Sequence, residues 1–192
     1  MNEMISGERK PASSRNLFMR YVVRIVFVLI AAVAVAAFIH ARNHSTKLPN
    51  GTVIDRIVVE KSARKLSVFK NGSLLKTYLV ALGANPVGPK EQEGDMKTPE
   101  GLYAIDRRNP NSDYHLSLHI SYPAPDDLTR AEARGVSAGC DIMIHGLPNG
   151  QGAMGDLHRQ TDWTAGCIAL TDEEIEELWR ITPDGTPIEI QP

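Results

Sequence analysis

The feature that most constrains this chain is an uncharged apolar run at residues 25–39. As a helix, these residues rise only about 22 Å, short of the roughly 30 Å hydrocarbon core of a bilayer. Counting from Tyr21, with Arg24 reaching back to the headgroups, brings the segment close to the required length. The run has no polar face, so it is not typical of a helix packed on a soluble domain.

Charge divides the chain near the same place. Seven basic and two acidic side chains give residues 1–48 a formal charge of +5. Because the whole chain carries -2, the remainder carries -7. Five of the basic residues precede the apolar run, and the positive-inside rule then places the N-terminus in the cytoplasm and the acidic part across the membrane. The near-neutral total also argues against nucleic-acid binding.

Two interpretations of the N-terminal part stay open. In the first, residues 1–20 form a basic cytoplasmic tail, residues 21–40 a transmembrane signal anchor, and residues 41–51 a polar linker. In the second, residues 1–39 include a signal peptide cleaved at its Ala-Val-Ala pattern, and the domain is secreted. Both place residues 52–192 outside the cytoplasm, in the cell envelope or periplasm.

The residue patterns of 52–192 predict one mainly β domain with a few short helices. Asn71-Gly72 is a two-residue hairpin signal. Thr171 and Glu174 form a capping box, which predicts the start of a helix. A shorter helix is predicted at residues 126–134, capped by Asp126 or Asp127. Strands are predicted at residues 54–59, 65–70, 74–82, 101–106, 116–122, 141–145, 167–170 and 187–190.

The residues with the clearest chemical potential stand at the ends of two predicted strands. His145 ends one strand, and Cys167 opens a later one after Gly166. A Cys and a His at adjacent strand ends can form a thiolate–imidazolium pair, with the thiolate as nucleophile. Gly166 would allow close approach of the backbone, and N–H groups of Gly166 and Cys167 could form an oxyanion hole. A free Cys is commonly a core residue, so the residues alone leave catalysis and packing both open.

The motifs around these residues resemble the L,D-transpeptidase catalytic domain, or YkuD family. The resemblance runs in order through residues 54–190. It is carried by His145-Gly146, by Thr164-Ala165-Gly166-Cys167, by Thr98-Pro99-Glu100-Gly101 and by Gly185-Thr186-Pro187-Ile188.

This resemblance implies a β-sandwich-like fold and a cysteine-dependent transpeptidase without cofactor or metal. Cys167 would be the nucleophile, His145 the general base and acid, and the Gly146 carbonyl the group that orients the imidazole. The substrate would be a peptidoglycan stem peptide, attacked at the amide after its third residue. The resulting thioester would pass to an amine acceptor, or to water in a hydrolytic variant.

Two departures from the family pattern bear on recognition. Ala165 and Ala169 stand where many members have a His and an Arg. The motif from Asp162 to Cys167 resembles a subgroup with Trp-Thr-x-Gly-Cys, for which cleavage of a diaminopimelate-linked crosslink or protein attachment is an alternative. A non-catalytic wall-binding domain is a third hypothesis.

Several further side chains are candidates for substrate contact. A zinc site built from Cys140, His145, His158 and Cys167 is not predicted, since their spacing matches no known finger pattern. Cys140 is predicted to be a buried free thiol. Candidate substrate contacts are His158, Trp163, Thr164, Arg107 and Arg108; the two arginines could bind a carboxylate.

Overall fold

The computed structural model describes residues 14–45 and 47–192, and the chain forms two compact units, Met1–Ser45 and Thr46–Pro192. The described part of the first unit is one helix, α1 (Ser14–Ser45), which contains the helix predicted at residues 21–40. Within the described residues, no helix is both long and apolar enough to cross a membrane. Most of the predicted basic tail lies outside the described residues.

The second unit is mainly β, as predicted. Two α-helices and a 3₁₀-helical segment (Gly152–Gln160), which is kinked at Gly155, accompany its strands. The α-helices are α2 (Pro125–Ala133) and α3 (Asp172–Ile181). The strands are β1 (Arg56–Glu60), β2 (Lys65–Lys70), β3 (Ser73–Leu79), β4 (Gly101–Ser112), β5 (His115–Ile120), β6 (Met143–His145), β7 (Ile168–Ala169) and β8 (Pro187–Gln191).

The strands form one curled sheet, in the order β3-β2-β1-β8-β4-β5-β6-β7. Its two ends meet where Ala81, just beyond β3, exchanges hydrogen bonds of 3.1 and 2.9 Å with Ala169 of β7. The strands of the predicted β-rich fold therefore belong to one continuous curled sheet. A strongly twisted sheet can curl until its ends approach, and one sheet then encloses the core that two sheets would otherwise share.

Local signals located two elements correctly. The turn between β2 and β3 has positive φ angles at Asn71 (49°) and Gly72 (76°), as a two-residue hairpin turn requires. At the start of α3, Thr171 Oγ1 accepts from the Glu174 N–H, and the Glu174 carboxylate accepts from the Thr171 N–H at 3.1 Å. The predicted capping box is confirmed.

The cap predicted for α2 is wrong. The helix begins after Ala124, and Asp127 lies inside its first turn. The Asp127 carboxylate reaches back to accept a hydrogen bond from the Ala124 N–H at 2.9 Å. An acidic side chain therefore satisfies the helix start from within the helix, which the sequence pattern did not distinguish from a cap.

The segment predicted as a linker contributes to the second unit. The Leu48 N–H donates to the Glu177 carboxylate of α3, and Arg180 donates to the carbonyl oxygens of Leu48 and Pro49 at 2.9 and 3.0 Å. The Leu48 side chain packs against the hydrophobic core. These contacts fix the chain entering the sheet against α3.

Candidate active site

Two short parallel strands bring the predicted nucleophile and base to one side of the sheet. In the β6–β7 pair, Ile144 lies opposite Ile168 and His145 opposite Ala169. Ile144 and Ile168 are buried in the core. Because side chains alternate along a strand, His145 and Cys167 point to the other face, where both line one cavity.

The turn before Cys167 is fixed by Thr164. Its Oγ1 donates to the Cys167 carbonyl at 2.7 Å and accepts from the Gly166 N–H at 3.1 Å. Gly166 has a φ of 135°, and a Cβ there would lie 2.6 Å from the Lys97 carbonyl oxygen, so the turn requires glycine. Thr164 is thus a structural member of the site as well as part of the cavity wall.

This turn narrows the choice of oxyanion donors. The Gly166 N–H, predicted as one of two donors, is already bonded to Thr164. No residue in the described part of the chain accepts a hydrogen bond from the Cys167 N–H. The Cys167 N–H is therefore the member of the predicted pair that is available to a substrate oxygen.

His145 is held in one tautomer. Its Nδ1 lies 2.7 Å from the Gly146 carbonyl oxygen, the contact predicted for that carbonyl. A carbonyl oxygen only accepts, so Nδ1 carries the proton and Nε2 keeps its lone pair. A Cβ on Gly146 would lie 2.8 Å from Asp172 Oδ1 at the start of α3. Glycine therefore permits the close packing that holds this carbonyl in place.

Burial disfavours the charged form of both reactive groups. The His145 side chain is 4% exposed, and burial lowers its pKa from 6.5, although the hydrogen bond to Gly146 acts in the opposite direction. Burial also raises the pKa of the Cys167 thiol from 9.0, against a backbone hydrogen bond from Met143 and the charge of Lys90. Both shifts favour the uncharged thiol and imidazole over the thiolate–imidazolium pair that the sequence suggested. A proton must leave Sγ when the thiol attacks.

A cavity of about 500 Å³ opens beside these groups. That volume is within the range of ligand-binding clefts. Asp141 forms the wall next to the nucleophile: the Cys167 thiol donates to its carbonyl oxygen at 3.6 Å. The lining combines polar groups with aromatic and thioether side chains, namely Met96, Asn109, Ser112, Asp113, Tyr114, Asp141, Met143, His145, Trp163, Thr164, Ala165 and Cys167.

Aromatic rings enclose the imidazole. The ring centroids of Tyr114 and His145 are 4.5 Å apart, and those of His145 and Trp163 are 5.7 Å apart in an edge-on arrangement. Tyr114 and Trp163 are themselves stacked at 6.1 Å. Such packing is apolar toward the imidazole, which accounts for the dry surroundings that lower its pKa.

The two candidate arginines occupy different places. Arg107 lies at the rim, where its guanidinium is 3.5 Å from Asp141 Oδ1 and 62% exposed. Arg108 is turned away: it donates to Asp184 at 2.7 Å and to the Trp179 carbonyl at 2.8 Å. The structure therefore brings Arg107, and not Arg108, near the cavity.

His158 and Cys140 also differ from expectation. His158 is 4% exposed and lies behind Trp163 rather than in the cavity lining. Cys140 is an exposed free thiol, 3.1 Å from Asp141 Oδ2, so its predicted burial is wrong. Among the described residues, no group of three or more His, Cys, Asp or Glu side chains is placed to hold a metal ion.

Sequence reasoning missed several residues of the cavity lining, and two of them, Asp141 and Tyr114, contact the reactive groups. Asp141 precedes β6 with a φ of 58°, and nothing in its sequence context marks that conformation. Tyr114 follows β4 and reaches His145 because the Gly146 N–H bonds to the Tyr114 carbonyl at 3.1 Å. Both contacts depend on pairing between segments that are distant in sequence.

The fold and the site together are typical of a cysteine-dependent acyl-transfer enzyme. The chain belongs to the L,D-transpeptidase catalytic domain family, YkuD, whose family model matches residues 54–190. It is 30% identical over 130 residues to "Putative L,D-transpeptidase YafK" of Escherichia coli K12, covering 65% of this chain and 45% of that protein. It is 27% identical over 146 residues to "Putative L,D-transpeptidase YkuD" of Bacillus licheniformis, covering 73% and 68%. The chain thus spans less than half of the Escherichia coli relative.

Solved structures share the fold. Pgp2 of Campylobacter jejuni, described as a helical cell shape determining protein, superposes with a TM-score of 0.54 at 22% identity, covering 78% of this chain and 52% of that one. Bd1075 of Bdellovibrio bacteriovorus superposes with a TM-score of 0.50 at 28% identity, covering 75% and 50%. These neighbours agree with the curled β-sheet architecture.

Proposed function

We propose that this protein is a peptidoglycan L,D-transpeptidase with Cys167 as nucleophile. The thiol attacks the carbonyl carbon of the stem-peptide amide after the third residue, and its proton passes to His145 Nε2. The C–N bond breaks, the proton goes to the leaving amine, and a thioester remains on Cys167. An amine acceptor then attacks the thioester, releasing the new amide and restoring the thiol.

The observation that carries the proposal is the shared cavity of Cys167 and His145. Their strands are adjacent and parallel, their side chains lie on one face, and the imidazole tautomer leaves Nε2 as the acceptor. The Cys167 N–H is available to the oxyanion that forms during attack. Membership of the family supplies the peptidoglycan substrate class.

Cleavage by water is the second candidate, and Ala169 is the observation that favours it. This residue is fully buried opposite His145 and bonded to Ala81, so it offers no charged side chain to the cavity. The cavity lining in the described residues contains two carboxylates, Asp113 and Asp141, and no Lys or Arg. A free carboxylate on donor or acceptor would therefore depend on rim groups such as Arg107.

The proposal includes a location. The basic N-terminal piece and the apolar run at residues 25–39 support export of the second unit to the cell envelope, by a membrane anchor or by a cleaved signal peptide. The stretch from Asp162 to Cys167 supports placement in the Trp-Thr-x-Gly-Cys subgroup. In this chain Asp162 accepts from Leu82 N–H at 2.9 Å and from Arg64 at 2.8 Å, so it holds the turn in place.

Product analysis tests the proposal. The full chain is incubated with purified tetrapeptide and crosslinked muropeptides, with and without an added amine acceptor. Mass spectrometry should show a thioester on Cys167 and amides joined to the acceptor. Shortened or released peptides in both conditions would instead assign the hydrolase reaction.

The matched control is Cys140→Ala, which removes the exposed thiol and leaves Cys167 in place. We expect it to keep wild-type turnover, whereas Cys167→Ala should show neither thioester nor product. If Cys167→Ala still converted muropeptides, the proposed mechanism would be wrong. Binding of muropeptides without turnover by the wild type would favour a non-catalytic wall-binding domain.

A further inference from the structure

His158 is a buried titratable group that the proposed mechanism does not use. Its side chain is 4% exposed, yet it does not line the cavity. Its Nε2 is buried without a hydrogen-bond partner among the described residues. Leaving a buried polar atom without a hydrogen-bond partner is unfavourable.

The other ring nitrogen of His158 faces the indole of Trp163. Trp163 Nε1 lies 3.5 Å from His158 Nδ1, and the two rings meet nearly perpendicularly with centroids 6.5 Å apart. An indole N–H only donates, so Nδ1 must be unprotonated to accept. Burial, with a further contribution from Arg159, lowers the pKa of His158 to about 4, so this acceptor is present at neutral pH.

The element that carries His158 is firmly attached to α3. The neighbouring Arg159 forms ion pairs with Asp156 in the same 3₁₀ helix and with Glu174 of α3. Glu174 is also part of the capping box at the start of α3. The backbone that carries His158 is therefore held against α3 by these ion pairs.

Trp163 contacts both His158 and the reactive His145. The Trp163 ring meets the His145 ring in an edge-on arrangement with centroids 5.7 Å apart, and it is stacked with the Tyr114 ring at 6.1 Å between centroids. It also lines the cavity and directly precedes Thr164, which fixes the turn of Cys167. A change in the indole angle would alter both the wall of the cavity and the packing that encloses the imidazole.

We propose that His158 is a positioning residue: it accepts a hydrogen bond from the Trp163 indole and so fixes the ring that packs against His145. The effect on turnover rests on the proposed function, whereas the hydrogen bond and the reactivity of Cys167 can be measured without a substrate. Two substitutions separate the acceptor from the ring. His158→Phe keeps an aromatic ring without an acceptor, and His158→Asn keeps an acceptor close to the Nδ1 position.

The first measurement is the indole N–H signal in ¹H–¹⁵N spectra of the full chain. The sequence has two tryptophans, and Trp179→Phe assigns the signal of Trp163. We expect His158→Phe to shift that signal and to raise its solvent-exchange rate about tenfold, while His158→Asn stays within about twofold of wild type. The Trp179 signal, from an indole that packs on Arg108, should not move.

The second measurement is the alkylation rate of each thiol at neutral pH, read by peptide mass spectrometry. His158→Phe should slow alkylation of Cys167 about fivefold, because the imidazole that takes its proton is less well placed. His158→Asn should restore the rate, and Cys140 should react at the wild-type rate throughout. On stem peptides, His158→Phe should lower kcat about tenfold with little change in KM.

Trp163→Phe removes the donor of the same hydrogen bond. It therefore tests the bond independently if His158→Phe fails to fold. If the hydrogen bond acts as proposed, adding His158→Phe to Trp163→Phe should lower neither the alkylation rate of Cys167 nor kcat any further. An unchanged indole signal in His158→Phe would overturn the proposal, as would unchanged Cys167 alkylation. Absence of turnover in the wild type would refute the proposed function instead, and the spectra and alkylation rates would still decide the role of His158.

Discussion

Two buried clusters of ionisable groups in this domain behave in opposite ways. At the reactive site, burial lowers the His145 pKa and raises the Cys167 pKa, which favours the neutral form of both groups. In the cluster around Glu177, which is 4% exposed, the carboxylate stays charged. Burial disfavours the charged form in both places.

The partners account for the difference. Burial alone would raise the pKa of Glu177, but Lys76 at 2.5 Å, the Leu48 N–H and the Tyr78 hydroxyl at 3.0 Å lower it. His145 has only a neutral carbonyl at hydrogen-bond distance among the described residues. A buried carboxylate keeps its charge when a complementary charge lies beside it. Without such a partner, the buried thiol and imidazole favour their neutral forms, and a proton is transferred only when the thiol attacks a substrate.

The largest effect is expected at the nucleophile. Cys167→Ser should lower kcat/KM about 10⁴-fold or more, because a hydroxyl beside a neutral imidazole is ionised far less than a thiol. Turnover of stem peptides is the measurement. Retention of more than a few per cent of the activity would contradict a thiol mechanism, and an unchanged Tm would show that the fold is intact.

A smaller loss is expected at the base. His145→Gln should lower kcat about 10³-fold, since general acid–base catalysis contributes 10²- to 10⁴-fold. The glutamine would be a neutral side chain in a place where His145 is already buried and its charged form disfavoured. We therefore expect the free energy of unfolding to change much less than the activation free energy does. Single-turnover kinetics would locate the loss in thioester formation; a loss confined to KM would argue that His145 binds substrate instead.

The comparison predicts the reverse pattern at the charged cluster. Glu177→Gln removes the carboxylate that contacts Lys76 and Tyr78, and should reduce the free energy of unfolding by about 3 kcal/mol. Urea unfolding measures it. Turnover at a temperature where the variant is folded should stay within about twofold of wild type. A large loss of kcat would show that the two clusters are coupled.

The smallest effect concerns pH. Since the His145 pKa is lowered from 6.5, the acidic limb of the kcat/KM profile should lie below pH 6.5, with activity lost as His145 becomes protonated. Trp163→Leu should admit water and move this limb upward toward 6.5, lowering relative activity at pH 6 about threefold. A limb that stays in place would mean that Trp163 does not keep the imidazole dry.

Elements with strong local signals were predictable from sequence. The Asn71-Gly72 turn needs positive φ at both residues, and few other pairs allow it. Thr171 and Glu174 satisfy the exposed N–H groups of a helix start within one turn of chain. The 3₁₀-helical segment Gly152–Gln160 was not predicted. It is interrupted at Gly155, where φ is 48°, and its short pieces show no regular apolar period in the sequence.

The site was only partly predictable, because some of its residues lie in short motifs and others are brought in by contacts between distant segments. The motifs identified Cys167, His145 and the Gly146 carbonyl, since these residues lie within short recognisable segments. Asp141 and Tyr114 depend on pairing across the sheet. The separation of Arg107 from Arg108 depends on strand alternation near an irregularity of β4, which places one beside Asp141 and the other beside Asp184.

By itself the sequence determined the division of charge, the β-rich second unit, the family and the residue pair that we propose to carry the chemistry. These follow from composition and from motifs in which neighbouring residues are sufficient. Tertiary structure decided that the strands form one curled sheet, that His158 lies behind Trp163, and that burial disfavours the charged forms of the thiol and the imidazole. Each of these depends on burial and on contacts between distant segments, and protonation in particular is set by which groups surround an atom rather than by which residues adjoin it in sequence.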